Sequence, residues 1–272
     1  MSAYDPAVAL QFFKAGGRPE AVAQGTLFFA EHEKAKALLL QRDKIYLLLD
    51  GEVSLVARGR EIGAVQKGEI FGEMAAISHA PRSATAVAKS ACRVIALDDK
   101  QFQTALGKKP EFALMLMSIM IARLREMIAR LKASSALSGE AALKESTVFD
   151  PKHLEELTSG IVDDPPIYYD RRKPIMQEGQ AGLRMYVVLE GTVRVSIGQS
   201  VVERLGPGGV FGEIALVEQS PRIADVVAET DCSLLPINRN AFLALVKTSP
   251  EFTASVLGAL ADRLRYLDSR LG

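Results

Sequence analysis

One stretch of this chain is written twice. FGEMAAISHAPRSATAVA, Phe71 to Ala88, returns as FGEIALVEQSPRIADVVA, Phe211 to Ala228, at an offset of 211 − 71 = 140 residues. The same offset relates Tyr46 to Tyr186, Gly51 to Gly191, Cys92 to Cys232 and Phe102 to Phe242. It also carries the Pro-Glu-Phe at Pro110 to Pro250 and the Arg-Leu-Arg at Arg123 to Arg263. Self-similarity at a fixed period marks a repeated architecture, and a period this long is a whole domain rather than a solenoid unit. At 272 residues the chain has room for two such domains, each able to bury a core of its own. The repeat places the first domain at 1–133, a linker rich in Ala and Ser at 134–148, and the second domain at 149–272.

Within each copy the pattern runs from strands to helices. GTLFFA, KIYLLL, EVSLVAR, REIGAV, TAVA and CRVIAL are short apolar runs punctuated by Gly51, Gly59, Gly63 and Gly68, which reads as a series of strands and turns. Short strands at regular spacing predict a barrel or sandwich. A lead-in helix is expected over residues 5–15. A short helix capped by Asp98 is expected to Leu106, and a long helix opens at Pro110, proline being favoured at a first helical position. The second copy repeats the plan with PIYYD, KPIMQEG, RMYVVLEG, TVRVSIG and VVERLG, after a lead helix from Pro151 to Thr158. The fold class is therefore mixed: two tandem jelly-roll-like β-barrel domains, each with a short lead-in helix and a long C-terminal helix.

The long helices carry a further pattern. Met117, Met120, Leu124, Met127 and Leu131 are spaced three, four, three, four, and 140 residues on stand Leu257, Leu260, Leu264, Leu267 and Leu271. That is the a/d seam of a coiled coil. It predicts that the helices pair, within one chain as a pseudo-dimer or between chains as a homodimer.

Charge narrows the partners. Lys+Arg and Asp+Glu both count 33, so no net charge favours nucleic acid or an anionic membrane. No apolar run reaches the roughly 18 residues of a membrane span, and the opening MSAYDPAVALQFF lacks the layout of a secretory signal; the expectation is a cytoplasmic protein. One cysteine per domain, each inside a strand-like run, reads as core packing. His32, His79 and His153 show no metal-ligand spacing, and His79 reads as an exposed turn residue.

The repeated stretch supplies the chemistry. Gly72-Glu73 follow an apolar strand end and open a short helical turn, whose free N–H groups suit an anion. Arg82 stands ten residues on, and its fork of donors grips phosphate oxygens in pairs. Glu73 repels an anion but accepts a hydrogen bond from a hydroxyl such as a sugar's.

Taken together, Gly-Glu, Pro-Arg and the following Ala, present in both copies, resemble the phosphate-binding cassette of the cyclic-nucleotide-binding domain family. The resemblance implies that Glu73 takes the ribose 2′-hydroxyl and Arg82 the cyclic phosphate, with Ser83 completing the phosphate shell. The ligand-binding set it implies is Phe71, Gly72, Glu73, Met74, Ala75, Pro81, Arg82 and Ser83, and in the second copy Gly212, Glu213, Ile214, Ala215, Pro221, Arg222 and Ile223. The second copy departs at Ile223, which loses a hydroxyl, and at Asp225, which would repel phosphate if it pointed inward. Upstream, residues 31–44 depart from the family's usual run by extra charge and a missing glycine. Where the family's long helix offers polar groups to the base, this chain has Met127-Ile128 and Leu267-Asp268, so Asp268 is the expected acceptor for a purine amino group.

No nucleophile–base pair and no metal cluster suggests catalysis. The expected function is a non-enzymatic tandem sensor of cAMP in preference to cGMP, signalling to an unknown effector protein through its long helices. The alternatives are a ligand-free scaffold and a kinase-regulatory-like inhibitor with a degenerate second pocket. DNA-binding relatives carry a further helix-turn-helix domain, for which the residues after the second long helix leave no room.

Overall fold

Sharp reversals between short strands shape each repeat. In a computed structural model, which describes residues 4–33, 44–78, 80–133, 144–145, 148–160 and 164–271, the strand Lys44–Asp50 (β3) ends at Gly51 with φ +95°. A side chain there would lie 2.6 Å from the Ala91 carbonyl oxygen, so only glycine fits. Gly191 repeats the arrangement after Arg184–Glu190 (β12), also at positive φ.

The first repeat runs α1 (Pro6–Gly16), β1 (Arg18–Val22), β2 (Leu27–Phe29), β3, β4 (Val53–Ala57), β5 (Arg60–Val65), β6 (Ile70–Phe71), α2 (Glu73–Ser78), β7 (Thr85–Ala88), β8 (Cys92–Asp98), α3 (Asp99–Leu106) and α4 (Pro110–Ala133). Its strands form two four-stranded antiparallel sheets, ordered β1-β8-β3-β6 and β2-β7-β4-β5. The alternating inward residues of both sheets, among them Leu48, Val53, Ala86 and Val94, are fully buried. After the two-residue strand β9 (Lys144–Glu145) comes α5 (Pro151–Gly160). The second repeat continues with β10 (Ile167–Tyr169), β11 (Pro174–Met176), β12, β13 (Val193–Ile197), β14 (Ser200–Leu205), β15 (Val210–Phe211), α6 (Glu213–Glu218), β16 (Asp225–Ala228), β17 (Cys232–Asn238), α7 (Arg239–Thr248) and α8 (Pro250–Leu271). Its sheets are ordered β10-β17-β12-β15 and β11-β16-β13-β14-β9, with β9 lying parallel to β14. The mixed, two-sheet jelly-roll-like plan with flanking helices thus occurs twice in tandem.

The chain divides into two compact units, Met1–Leu116 and Met117–Gly272. The sequence repeat ends near Ala133, whereas the second unit takes in the distal part of α4. The helical face of the first unit is aromatic. Phe12 stacks on Phe112 at 3.6 Å between ring centroids and meets Phe102 edge-on at 5.8 Å. Asp5 caps α1 by accepting from the Ala7 and Val8 N–H groups, and Asp98 forms a reciprocal capping box with Gln101 at the start of α3. In the second unit the seam residues Met117, Met120, Leu124, Leu131, Leu257, Leu260, Leu264 and Leu267 are all buried. Met127 is half-buried, and the side chain of Leu271 lies outside the described residues.

Two strands were not expected: β9, which falls in the predicted linker, and β1. β1, RPEAV, pairs with β8 through Arg18↔Ala96 to Val22↔Cys92, although its residues show no apolar alternation. Main-chain pairing to the edge of an existing sheet, rather than burial, makes it a strand. Most of the 134–148 linker, His79 and most of the 31–44 segment lie outside the described residues.

Phe12 has no solvent exposure and touches three other rings. Phe12→Ala is expected to lower the unfolding free energy of the first unit by about 3–5 kcal/mol. Chemical denaturation followed by tyrosine fluorescence and circular dichroism measures it. A loss below about 1 kcal/mol would mean that the ring cluster collapses without strain.

Candidate functional site

Each repeated stretch is held by its arginine. In the first copy Arg82 donates from one terminal nitrogen to the Gly72 carbonyl at 2.7 Å and from the other to the Lys44 carbonyl at 2.9 Å. In the second, Arg222 donates to the Gly212 carbonyl at 2.8 Å and to the Arg184 carbonyl at 2.5 Å. The partners are related by the same offset of 140. Gly72 and Gly212 both sit at positive φ, turning the chain from strand into helix beneath the guanidinium. Both arginines are buried, at 5% and 8% exposure, although two neutral carbonyls do not neutralise either charge. Burial pushes the Arg222 guanidinium down from its ordinary value, against the opposing pull of Tyr186 and Glu213.

The second copy surrounds its arginine with a cavity of about 790 Å³ including the open mouth. Its walls include Met176, Val195, Ile197, Val202, Tyr266 and Leu267. Among the predicted residues, Gly212, Glu213, Ile214, Ala215, Arg222 and Ile223 line it together, with Phe211 behind them. Pro221 stands on the rim, bridged to Ala181 across the β11–β12 connection. That connection presses on the guanidinium: a side chain at Gly182 would lie 2.5 Å from both Arg222 Nε and Ala215 Cβ.

Glu213 is 1% exposed. One carboxylate oxygen accepts from Arg263 of α8 at 2.7 Å, while the other, Oε2, has no hydrogen-bond partner. Arg263 also donates to Glu203 at 2.9 Å and to the Val210 carbonyl. Burial alone would lower its pKa, but Glu203 and Glu213 together hold it above the ordinary arginine value. Two carboxylates and two guanidiniums therefore meet in one wall with formal charges that cancel, leaving an orphan acceptor in an otherwise apolar chamber.

In the first copy Phe71, Gly72, Glu73, Met74 and Ala75 occupy the β6–α2 turn, and Pro81, Arg82 and Ser83 the connection before β7. Glu73 is buried and Ser83 exposed. Phe29 takes the place that Met176 holds in the second copy, and the Arg82 guanidinium lies 4.2 Å from its ring centroid, a cation–π contact. Gly63 stands where the second copy has Glu203.

Two expectations change. Asp225 does not turn toward the arginine: it accepts from the Glu178 N–H at 2.8 Å, as Thr85 Oγ1 accepts from the Glu31 N–H at 2.8 Å in the first copy. The aspartate does the threonine's work in holding the neighbouring loop. Asp268 is exposed and lines no part of the cavity, because consecutive helical residues point about 100° apart. Its neighbours Tyr266 and Leu267 face inward instead. Sequence reading missed Tyr266, the Glu203–Arg263–Glu213 triad, and the contribution of Leu124 and Ile128 from α4 to the cavity. The Arg-Leu-Arg repeat at Arg123 and Arg263 was the one visible trace of the triad. Among the described residues no group of His, Cys, Asp and Glu assembles as a metal site.

The model of the cyclic nucleotide-binding domain matches residues 21–109 and 166–249, and the chain belongs to that family. Among curated proteins it is 28% identical over 215 residues to the cAMP-dependent protein kinase regulatory subunit of Hypocrea atroviridis, covering 79% of this chain and 40% of the relative. It is 36% identical over 134 residues to the Cyclic AMP receptor protein of Thermus thermophilus, covering 47% and 62% respectively. Among solved structures, the Catabolite Activator Protein of Thermus thermophilus is 32% identical, with 45% of this chain and 59% of that chain covered and a TM-score of 0.39. The chain spans about 40% of the length of the kinase regulatory subunits it matches.

The ion triad carries its own test. Arg263→Met strands two buried carboxylates and is expected to cost about 3–5 kcal/mol of stability. Adding Glu203→Gln and Glu213→Gln is expected to recover more than half of that loss. A triple variant as unstable as the single one would show that Arg263 acts through packing alone.

Proposed function

We propose that the chain is a tandem cyclic-nucleotide sensor that binds its ligand in the two repeated cassettes and presents the result through its long helices. The observation that carries this is Glu213 Oε2, a buried acceptor with no partner, set on the same cavity as the buried Arg222. A cyclic phosphate would neutralise the guanidinium, which keeps three further N–H bonds beyond the two spent on carbonyls. A ribose hydroxyl would donate to Glu213. The nucleobase would lie against Tyr266 and the aliphatic walls, where stacking and burial favour any purine. Ile223 costs the second site one hydroxyl donor but leaves its main-chain N–H.

The ligand we propose is cAMP in preference to cGMP. Away from Glu203, Glu213, Arg222 and Arg263 the cavity wall is apolar. Guanine would bury more unpaired polar groups there than adenine, each at a cost. The names of relatives such as the cAMP-dependent kinase regulatory subunits point the same way. A phosphodiester cradled by arginine, with no nucleophile beside it, is held rather than cut, which supports a sensor over an enzyme. The buried seams of α4 and α8 support helix pairing within one chain over a homodimer. Two free buried thiols fit a cytoplasmic setting.

A second reading gives the effector's class. Likeness to kinase regulatory subunits over 79% of this chain favours a protein kinase catalytic subunit as the partner.

Isothermal titration calorimetry with cAMP and with cGMP tests the function. Wild type is expected to take up two equivalents of cAMP, while Arg82→Ala and Arg222→Ala each lose one. The affected site should weaken at least about 100-fold, in keeping with the loss of a buried charge partner. The absence of heat from either nucleotide would leave a ligand-free scaffold.

A further inference from the structure

The second cavity is walled in part by a helix that the repeat assigns to the first copy. Leu124 and Ile128 of α4 line it, one helical turn apart. Beside them, Arg125 reaches the stretch that carries Arg222. Its Nε donates to Glu218 at 2.8 Å, and its terminal nitrogen to the Ser220 hydroxyl and, at 3.1 Å, to the Pro221 carbonyl. Seven residues further on, Lys132 pairs with Glu178 in the β11–β12 connection, the segment that hydrogen-bonds Arg222 through Gly179 and Gln180. Glu178 is in turn tied to Asp225 through its main-chain N–H. Two adjoining segments beside Arg222 are thus tied to one helix by ionic contacts.

The clip is written into one copy only. At the positions of Glu218 and Ser220 the first stretch has Ser78 and Ala80, which cannot answer an arginine in the same way. The clip is also poised rather than permanent, since the Arg125 and Glu218 side chains are 32% and 22% exposed, where an ion pair is weak and screened by salt.

We infer that the distal half of α4 is a latch on the second cavity, fastened by Arg125 on Glu218, Ser220 and Pro221, and that it sets how fast a bound nucleotide leaves. The inference rests on the nucleotide-binding function proposed above. Leu124 and Ile128 cover part of a ligand in this cavity, so opening of the clip removes that cover and speeds release. Whatever moves α4 then changes occupancy of the second cassette, and occupancy holds α4 in place by the same coupling energy.

The test uses the full chain carrying Arg82→Ala, so that only the second cassette is read. A fluorescent cAMP analogue is bound and then chased with unlabelled cAMP. Arg125→Glu, which sets two carboxylates against each other, is expected to release the analogue about tenfold faster, and the exchanged pair Arg125→Glu with Glu218→Arg to restore the rate to within about threefold. Release at the original rate from Arg125→Glu would overturn the latch. So would failure of the exchanged pair to slow it again. Hydrogen exchange on the ligand-free chain reads the latch without nucleotide. Amides of residues 124–131 should exchange faster in Arg125→Glu and recover in the exchanged pair, and unchanged protection would overturn the inference. Should neither cassette bind a cyclic nucleotide, the proposed function falls and the exchange data alone decide the latch.

Discussion

Everything in the two cassettes hangs on a guanidinium that binds main chain before it binds anything else. Arg82 and Arg222 each clamp the carbonyl of a turn glycine to the carbonyl at the head of a long strand, Lys44 or Arg184. Three segments distant in sequence are drawn together: the start of β3 or β12, the strand-to-helix turn, and the connection before β7 or β16. The arginine therefore has a structural role even before any ligand arrives, and its presence alone does not distinguish a binding cassette from a scaffold. What distinguishes them is what the wall around the arginine offers. In the second copy Glu213 balances charge near Arg222 from a distance, while its own Oε2 remains a buried acceptor without a hydrogen-bond donor.

The copies furnish that wall differently. Fourteen residues, 30–43, separate Phe29 from Lys44 in the first, against seven, 177–183, between Met176 and Arg184 in the second. The shorter connection passes directly over Arg222, with Gly182 the only residue small enough to do so. In the first copy the ring of Phe29 lies against the guanidinium instead, presenting the negative potential of its π face. Glu203 adds a second carboxylate to the second wall where the first has Gly63. A duplicated frame thus carries two electrostatic settings, and equal affinities are not to be expected from it.

The frame was legible in the sequence because local chemistry fixes it. The turns at Gly51, Gly59 and Gly68, the Asp98 cap and the proline starts of the long helices each act over a few residues and are found where the pattern puts them, whereas Gly63, read as a turn, lies inside β5 paired with Leu55. The Gly-Glu and Pro-Arg pairs were legible for the same reason. What escaped depends on separations that no local pattern records. The triad joins residues 203, 213 and 263 across three elements. Leu124 read as a seam residue and Ile128 as the first copy's counterpart of a base-contacting position, and nothing in their spacing says that the second copy's cavity lies opposite. Asp268 was misplaced by one helical step: a polar residue was sought for the base, and the aromatic Tyr266, two positions earlier, occupies the inward face. Asp225 would be hostile to phosphate only if it pointed inward, a direction that residue type does not give and that the hydrogen bond from the Glu178 N–H supplies.

A ligand shifts a protein between arrangements only by the difference in its affinity for them. In the second cavity that difference has an identifiable source. The polar floor, Arg222 with Glu213, sits on α6 and the strand connections, whereas Tyr266, Leu267, Leu124 and Ile128 belong to the two long helices. A molecule that satisfied only the floor would bind equally well with the helices near or far, and would transmit nothing. One that also fills the apolar space gains burial only when the helices are close, at roughly 25 cal/mol for each Å² removed from water. On the proposed function, phosphate recognition would therefore fix where the ligand sits, and the apolar part of the ligand would do the switching.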